Sequence, residues 1–201
     1  MLTAVNQESI PGVIPADKVA GPPQGKWTYS DYVNLPDDGH RYEIINGVLY
    51  MTPSPGELHQ AANRWFIYYL TVYVQLIGLG RVYGPPFDVK LAKNKTVQPD
   101  VIVILTANQD KIKPEGIEGA PDLVVEISSP GTVGYDRREK QDAYAEAGVT
   151  EYWIADPASQ TIEVMHLTDN RYQSQGVFQG KALLPTKIVP GLPVGVEQFF
   201  A

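Results

Sequence analysis

The chain has no cysteine in its 201 residues. That absence removes disulfide frameworks, thiolate metal sites and thiol nucleophiles together. Histidine is nearly as scarce. Only His40, His59 and His166 occur, too far apart in sequence to pair as metal ligands, so a histidine-based zinc site is not expected. No apolar run approaches the roughly 20 residues that span a bilayer, and the first residues lack the basic and apolar regions of a signal peptide. The expectation is a cytoplasmic protein with no membrane partner. Basic charge is also short: 16 Lys and Arg stand against 23 Asp and Glu, for a net charge of -7. Nonspecific nucleic-acid binding draws on a basic footprint, so any such contact has to rest on a local patch or on bound metal.

What remains is the composition of an ordinary globular domain, 43% hydrophobic and 19% charged. Residues 1–26 carry four prolines and three glycines with little periodicity and read as an irregular extension, leaving 27–201 as the folded domain. A short helix is expected from Trp27 to Asn34 with Ser30 as its cap. Asn46-Gly47 between Tyr42–Ile45 and Val48–Met51 predicts a tight hairpin. Leu58, Ala62, Trp65, Phe66, Tyr69, Leu70, Tyr73, Leu76 and Ile77 recur at helical spacing before Gly78. Their aromatic members read as core or as a dimer surface. Strands follow at 81–91 (bent at Pro85-Pro86), 101–105 and 123–128, the last two separated by a polar loop. A second helix spans 136–147 and is closed by Gly148. A hairpin around Asp156-Pro157 and further strands complete an α/β fold with a mixed central sheet flanked by helices.

Two carboxylates disturb this pattern. Asp100 opens the run Val101-Ile102-Val103-Ile104, and Glu126 interrupts Leu123-Val124-Val125-Glu126-Ile127. An ionised carboxylate in a core strand is costly unless paired. Alternation places Asp100 with Ile102 and Ile104, and Glu126 with Val124 and Ser128. If the strands are neighbours, both carboxylates face one layer and can share a hard cation, Mg²⁺ or Mn²⁺, which takes one or two carboxylates and waters. On the following helix Asp136, Lys140, Ala143, Tyr144 and Ala147 form one stripe. Lys140 therefore sits on the inward face, where it needs a carboxylate partner or a chemical role, while Arg137 and Arg138 point elsewhere, toward phosphate. The structural alternatives are that Asp100 caps a turn, that Glu126 forms a buried ion pair, and that Lys140 pairs with Asp136.

The ordered motifs Tyr42-Glu43-Ile44-Ile45-Asn46-Gly47, Pro53-Ser54-Pro55 with His59, Pro99-Asp100-Val101, Pro121 to Ile127, Ser129-Pro130, Asp136 to Lys140 with Tyr144, and Gly148 to Trp153 with Asp156-Pro157 resemble the Uma-two family of restriction-endonuclease-like proteins. The resemblance covers roughly residues 27–200 and implies the PD-(D/E)XK nuclease core. In that superfamily an aspartate and a Glu-x-Lys on the next strand hold Mg²⁺ and set a lysine near the attacking water. The metal pair then corresponds to Asp100 and Glu126, joined by the backbone carbonyl of Ile127. Ser128 occupies the place of the lysine, and Lys140 from the next helix is the substitute. Glu43 adds a carboxylate from the first hairpin, and His59, Asp136 and Tyr144 are candidates to orient these groups.

The function so implied is a Mg²⁺-dependent endonuclease with DNA as substrate, working as a homodimer if both strands are to be cut. The rival reading, prompted by Ser128 and the acidic balance, is a non-catalytic binding or assembly module on the same fold. A phosphoesterase acting on small nucleotides is a third.

Overall fold

The computed structural model describes residues 12–201, so the first part of the expected extension over 1–26 lies outside the described residues. From residue 12 the chain lies along the first hairpin. β1 (Ile14–Pro15) pairs with the outer edge of that hairpin, Ile14 opposite Met51. The amides of Gly25 and Trp27 both donate to the carbonyl of Gly47, at 2.7 and 3.0 Å. Trp27 is buried in a small core with Tyr42, Ile44 and Leu49. Helix α1 (Tyr29–Tyr32) begins two residues earlier than a Ser30 cap implies, because Thr28 is its cap. The Asp31 carboxylate accepts the Thr28 amide at 2.9 Å, the reciprocal contact of a capping box.

The hairpin is β2 (Arg41–Ile45) and β3 (Val48–Thr52), joined by Asn46 and Gly47 at φ 54° and 74°. Two positive φ values are what a type I′ turn requires, and Asn-Gly supplies them at least cost. Helix α2 (Glu57–Leu70) runs on through a π turn, Thr71–Gln75, to the glycine stop. The strands β4 (Gly80–Tyr83), β5 (Val89–Ala92), β6 (Lys95–Val97), β7 (Val101–Leu105), β8 (Ile112–Lys113), β9 (Gly116–Glu118) and β10 (Leu123–Ile127) follow. Then come the short α3 (Val133–Tyr135), a second π turn (Asp136–Lys140) and α4 (Gln141–Ala147), ended by Gly148 at φ 91°. β11 (Glu151–Asp156), β12 (Thr161–Thr168) and β13 (Arg171–Gln179) precede a terminal 3₁₀ turn, Val196–Phe200.

The expected mixed sheet is present and divides in two. One has six strands in the order β13-β12-β11-β10-β7-β4, with β10 and β11 parallel; the other has seven, β1-β3-β2-β6-β5-β9-β8. The single bent strand expected over 81–91 is two strands, β4 in the first sheet and β5 in the second. Pro85-Pro86 offers no amide to a ladder, so pairing stops there and the chain crosses between sheets. The polar loop expected before residue 123 holds a 3₁₀ turn and the β8–β9 hairpin. Its buried Ile117 stands alone among polar and glycine residues and makes no strand periodicity in the sequence.

Strand alternation sorts the side chains of the six-stranded sheet into two cores. Val101, Val103, Leu123, Val125, Ile127, Trp153 and Ala155 pack against Phe66, Leu70 and the C-terminal segment. Ile102, Ile104, Val124, Tyr152 and Ile154 pack on the other face, against Tyr135, Tyr144 and the second sheet through Ile45, Val89 and Val97. Asp100 and Glu126 continue this second set of positions. Among the described residues no helix is long and apolar enough to cross a membrane.

Candidate active site

β7 and β10 are antiparallel neighbours, with Val101 opposite Val125, so Asp100 and Glu126 follow as facing positions at one end of the sheet. Both are buried. Asp100 is held by one oxygen: Oδ2 accepts the Ile127 amide at 2.9 Å and lies 3.0 Å from Nε2 of His59, which the first turn of α2 brings over the sheet end. Glu126 is also held by one oxygen. Oε1 accepts Lys140 Nζ at 3.0 Å and the Tyr144 hydroxyl at 2.5 Å. Among the described residues Asp100 Oδ1 and Glu126 Oε2 accept no hydrogen bond. Each strand carboxylate is therefore fixed by one oxygen and keeps the other free for a ligand.

Lys140 reaches this point from the middle of the helical segment, on the stripe expected from the sequence, and its ammonium also lies 3.0 Å from Glu43 Oε1. Glu43 shares a face of β2 with Ile45, and the Gln98 amide donates to the same oxygen at 2.8 Å. Among the described residues its other oxygen is buried without a partner, as are the Tyr135 hydroxyl and His59 Nδ1. Asp136, four residues before Lys140, accepts the Ser128 hydroxyl at 3.1 Å. The two helical members sit at the ends of the second π turn, a wider turn that recurs at functional sites. The structure thus brings together Glu43, His59, Asp100, Glu126, Asp136, Lys140 and Tyr144. It does not place Arg137 or Arg138 there. Arg137 pairs with Glu163 at 2.6 Å and Arg138 lies out in solvent near Glu139.

Four buried carboxylates, Glu43, Asp100, Glu126 and Asp136, surround one ammonium. Burial alone would favour the neutral amine of Lys140, but the charges of Glu126, Glu43, Asp136 and Asp100 outweigh it and hold the group protonated far above its ordinary value. Burial drives Glu126 well above the usual carboxylate range; Lys140 opposes that, while Asp100, Asp136 and Glu43 add to it. For Asp100 burial is overcome by the His59 hydrogen bond and charge, by Lys140 and by the Ile127 amide, so it stays below its usual value and ionised. Burial raises Asp136 to about 6 against the pull of Lys140, Thr132 and Ser128.

The excess negative charge, the two free carboxylate oxygens and the orphaned Glu43 Oε2 suit a divalent cation better than the single lysine can. Among the described residues no three acidic or histidine side chains converge as a complete metal cage. Mg²⁺ does not need one, since it keeps several waters. The cleft here has about 40 Å³ of space, enough for an ion and a water. Asp100 and Glu126, with the Ile127 carbonyl at the strand end, are the residues that would hold it.

Sequence reasoning missed three contributors. Gln98 acts only through its backbone amide, which carries no side-chain signature. Tyr135 lies five residues from Lys140, a spacing that shares a face only once the helix widens to a π turn; the Lys140 ammonium is 5.6 Å from its ring centroid. Ser128, read as a missing lysine, is the anchor of Asp136.

The sequence profile of the Uma2 family, described as "Putative restriction endonuclease", matches residues 29–197. Among solved structures the fold matches a protein from Anabaena variabilis described as a "putative nuclease belonging to DUF820". The TM-score is 0.72 at 20% identity, covering 87% of this chain and 97% of that one. At that identity the likeness speaks for the fold. No curated protein matches the chain.

Proposed function

This chain belongs to the Uma2 family of restriction-endonuclease-like proteins, and from that premise we propose that it hydrolyses phosphodiester bonds in DNA with Mg²⁺ or Mn²⁺. The observation that carries the reading is the meeting of Asp100 and Glu126 at adjacent strand ends, each with one oxygen fixed and one free. Asp100 and Glu126 would hold the cation, whose chemistry there, when bound, would be Lewis acidity toward the scissile phosphate. The protein supplies the rest. His59 and the Ile127 amide hold the Asp100 carboxylate in one orientation. Tyr144 and Lys140 do the same for Glu126. Because Lys140 stays protonated among its carboxylates, its part is electrostatic. It stabilises negative charge that grows on the phosphoryl oxygens and does not take a proton from water. Glu43 fixes that ammonium from the other side.

Supercoiled plasmid or single-stranded DNA incubated with Mg²⁺ or Mn²⁺ should be cut by the native chain and left intact by Glu126→Ala and Asp100→Ala. No metal-dependent cleavage of duplex, single-stranded DNA or RNA, or equal cleavage by the variants, rejects the proposal. The rival reading of a non-catalytic module draws on one observation, that Lys140 already occupies an oxygen of both Glu126 and Glu43. Calorimetric titration with Mn²⁺ separates the two. Heat that disappears in Asp100→Ala supports the metal site, and none in the native chain supports the module.

A further inference from the structure

Beside the acidic cleft lies a larger cavity of about 410 Å³, and His59 and Ser129 line both. Its walls come from three places: the start of α2, the loop after β10 and the turn after β11. Leu58, Pro130, Val133, Pro157 and Ala158 make most of them. Leu58 is 58% exposed and Val133 39%, although both are large apolar side chains on a chain with ample polar residues. A concave apolar surface of this size, continuous with a polar site, is the usual form of a ligand pocket.

The charge of the walls says what the ligand is not. Among the described residues the charged side chains here are Glu57 and Asp156, both acidic, and no lysine or arginine lines the cavity. Asp156 is committed to its own turn, accepting the Ala158 amide at 2.9 Å and the Ser159 hydroxyl at 2.7 Å. The cavity gives a phosphate no cationic side chain, and its walls are mostly apolar. They suit a flat, neutral group whose hydrogen-bonding edge can meet the uncapped first amides of α2.

We infer that this cavity receives one nucleobase of the substrate strand, unstacked and unpaired, next to the phosphate at the mouth of the acidic cleft. The inference rests on the nuclease reading above and sharpens its substrate class. A base can enter an apolar pocket only after it has left the stack, which costs least in a single strand, a loop or a frayed end. The chain therefore acts on unpaired nucleotides in preference to intact duplex.

The test uses a single-stranded oligonucleotide carrying 2-aminopurine, whose emission rises when the base unstacks. It is bound to the full chain in Ca²⁺ and compared with its duplex. The expected result is a several-fold rise in emission with the single strand and none with the duplex. Val133→Asp, at an exposed position, should weaken single-strand binding by about tenfold, as expected for loss of one apolar side-chain contact. Ile77→Asp, at an exposed position outside the cavity, should leave it unchanged. No emission change at saturation, no binding of the single strand, or a rise that survives Val133→Asp overturns the inference. Cleavage of the same strands in Mn²⁺ is scored separately. Cleavage without an emission change rejects the base pocket and keeps the nuclease. An emission change without cleavage keeps the pocket and rejects the nuclease.

Discussion

Replacing Lys140 by Met removes the ammonium from a buried cluster of four carboxylates while keeping most of the side-chain volume. Two of those carboxylates, Glu43 and Glu126, lie 3.0 Å from the ammonium and lose it as partner. Breaking a buried ion pair from one side typically costs about 3–5 kcal/mol, because the remaining charge is stranded. Here the molecule has a partial escape. Glu126 is already pushed well above the ordinary carboxylate range by burial and by its acidic neighbours, and without Lys140 it takes up a proton more readily still. A carboxyl with a raised folded pKa binds protons more tightly in the folded state, so stability is lost as pH rises through that pKa. The variant should therefore be destabilised by about 3–5 kcal/mol at pH 8 and recover progressively toward pH 5. Added Mn²⁺ should restore part of the loss at pH 8, since a cation can then take the place of the ammonium between the carboxylates. Guanidinium denaturation at pH 5 and pH 8, with chelator and with Mn²⁺, measures all of this. A Lys140→Met protein as stable as the native chain at pH 8 in chelator would refute the electrostatic picture of the site.

Asp136 is raised to about 6 by burial, so its ionisation above that pH costs the fold up to about 3 kcal/mol; Asp136→Asn should raise the melting temperature at pH 8 and leave it unchanged at pH 4. In Gly47→Ala the new Cβ would meet the Gly25 carbonyl carbon and oxygen at 2.6 Å, at a residue with φ 74°. We expect a loss of about 2–3 kcal/mol and faster tryptic cutting after Lys18 and Lys26, as the extension loses its hold on the hairpin. Glu151, fully buried, accepts the Trp153 indole at 2.7 Å and the Lys187 and Ile188 amides at 2.8 and 3.3 Å. Glu151→Ala leaves those donors unmatched, about 1 kcal/mol or more each, and amide exchange should quicken at residues 187–188 before the central strands.

Local rules carried the reading of the sequence furthest where one short signal decides the geometry. Asn46-Gly47 dictates its turn, Gly148 its helix end, and the period-two pattern of 123–127 its two faces, so Glu126 could be assigned a side before any partner was known. The helical stripe likewise put Lys140 inward. What could not be read were events that depend on distant chain. Nothing local says that the run broken by Pro85-Pro86 divides between two sheets, or that Glu43 would meet a lysine nearly a hundred residues later. The π turn at Asp136–Lys140 is hidden for a different reason. Its residues are ordinary helix formers, and nothing in their order marks the wider winding.

Ser128 carries the last step. Read against the Glu-x-Lys pattern it marks a vacancy on the strand. In the folded chain its hydroxyl ties Asp136 to the strand at 3.1 Å, and Asp136 lies one wide turn before Lys140. The same helical segment also supplies Tyr144, which grips the oxygen of Glu126 that Lys140 touches. A lysine carried on the helix, as Lys140 is, has a position that depends on how firmly that helix docks, and Ser128 docks its first part together with the Tyr152 hydroxyl, which donates to the Asp136 carbonyl at 3.0 Å. A strand lysine placed at 128 would bring a second ammonium into the cluster and cut the Asp136 tether. Ser128→Lys should therefore not improve the site. Mn²⁺ affinity measured by calorimetry should fall, because the new ammonium competes for the free oxygen of Glu126. A gain in affinity would mean that the strand position, and not the helix, is where this fold wants its lysine.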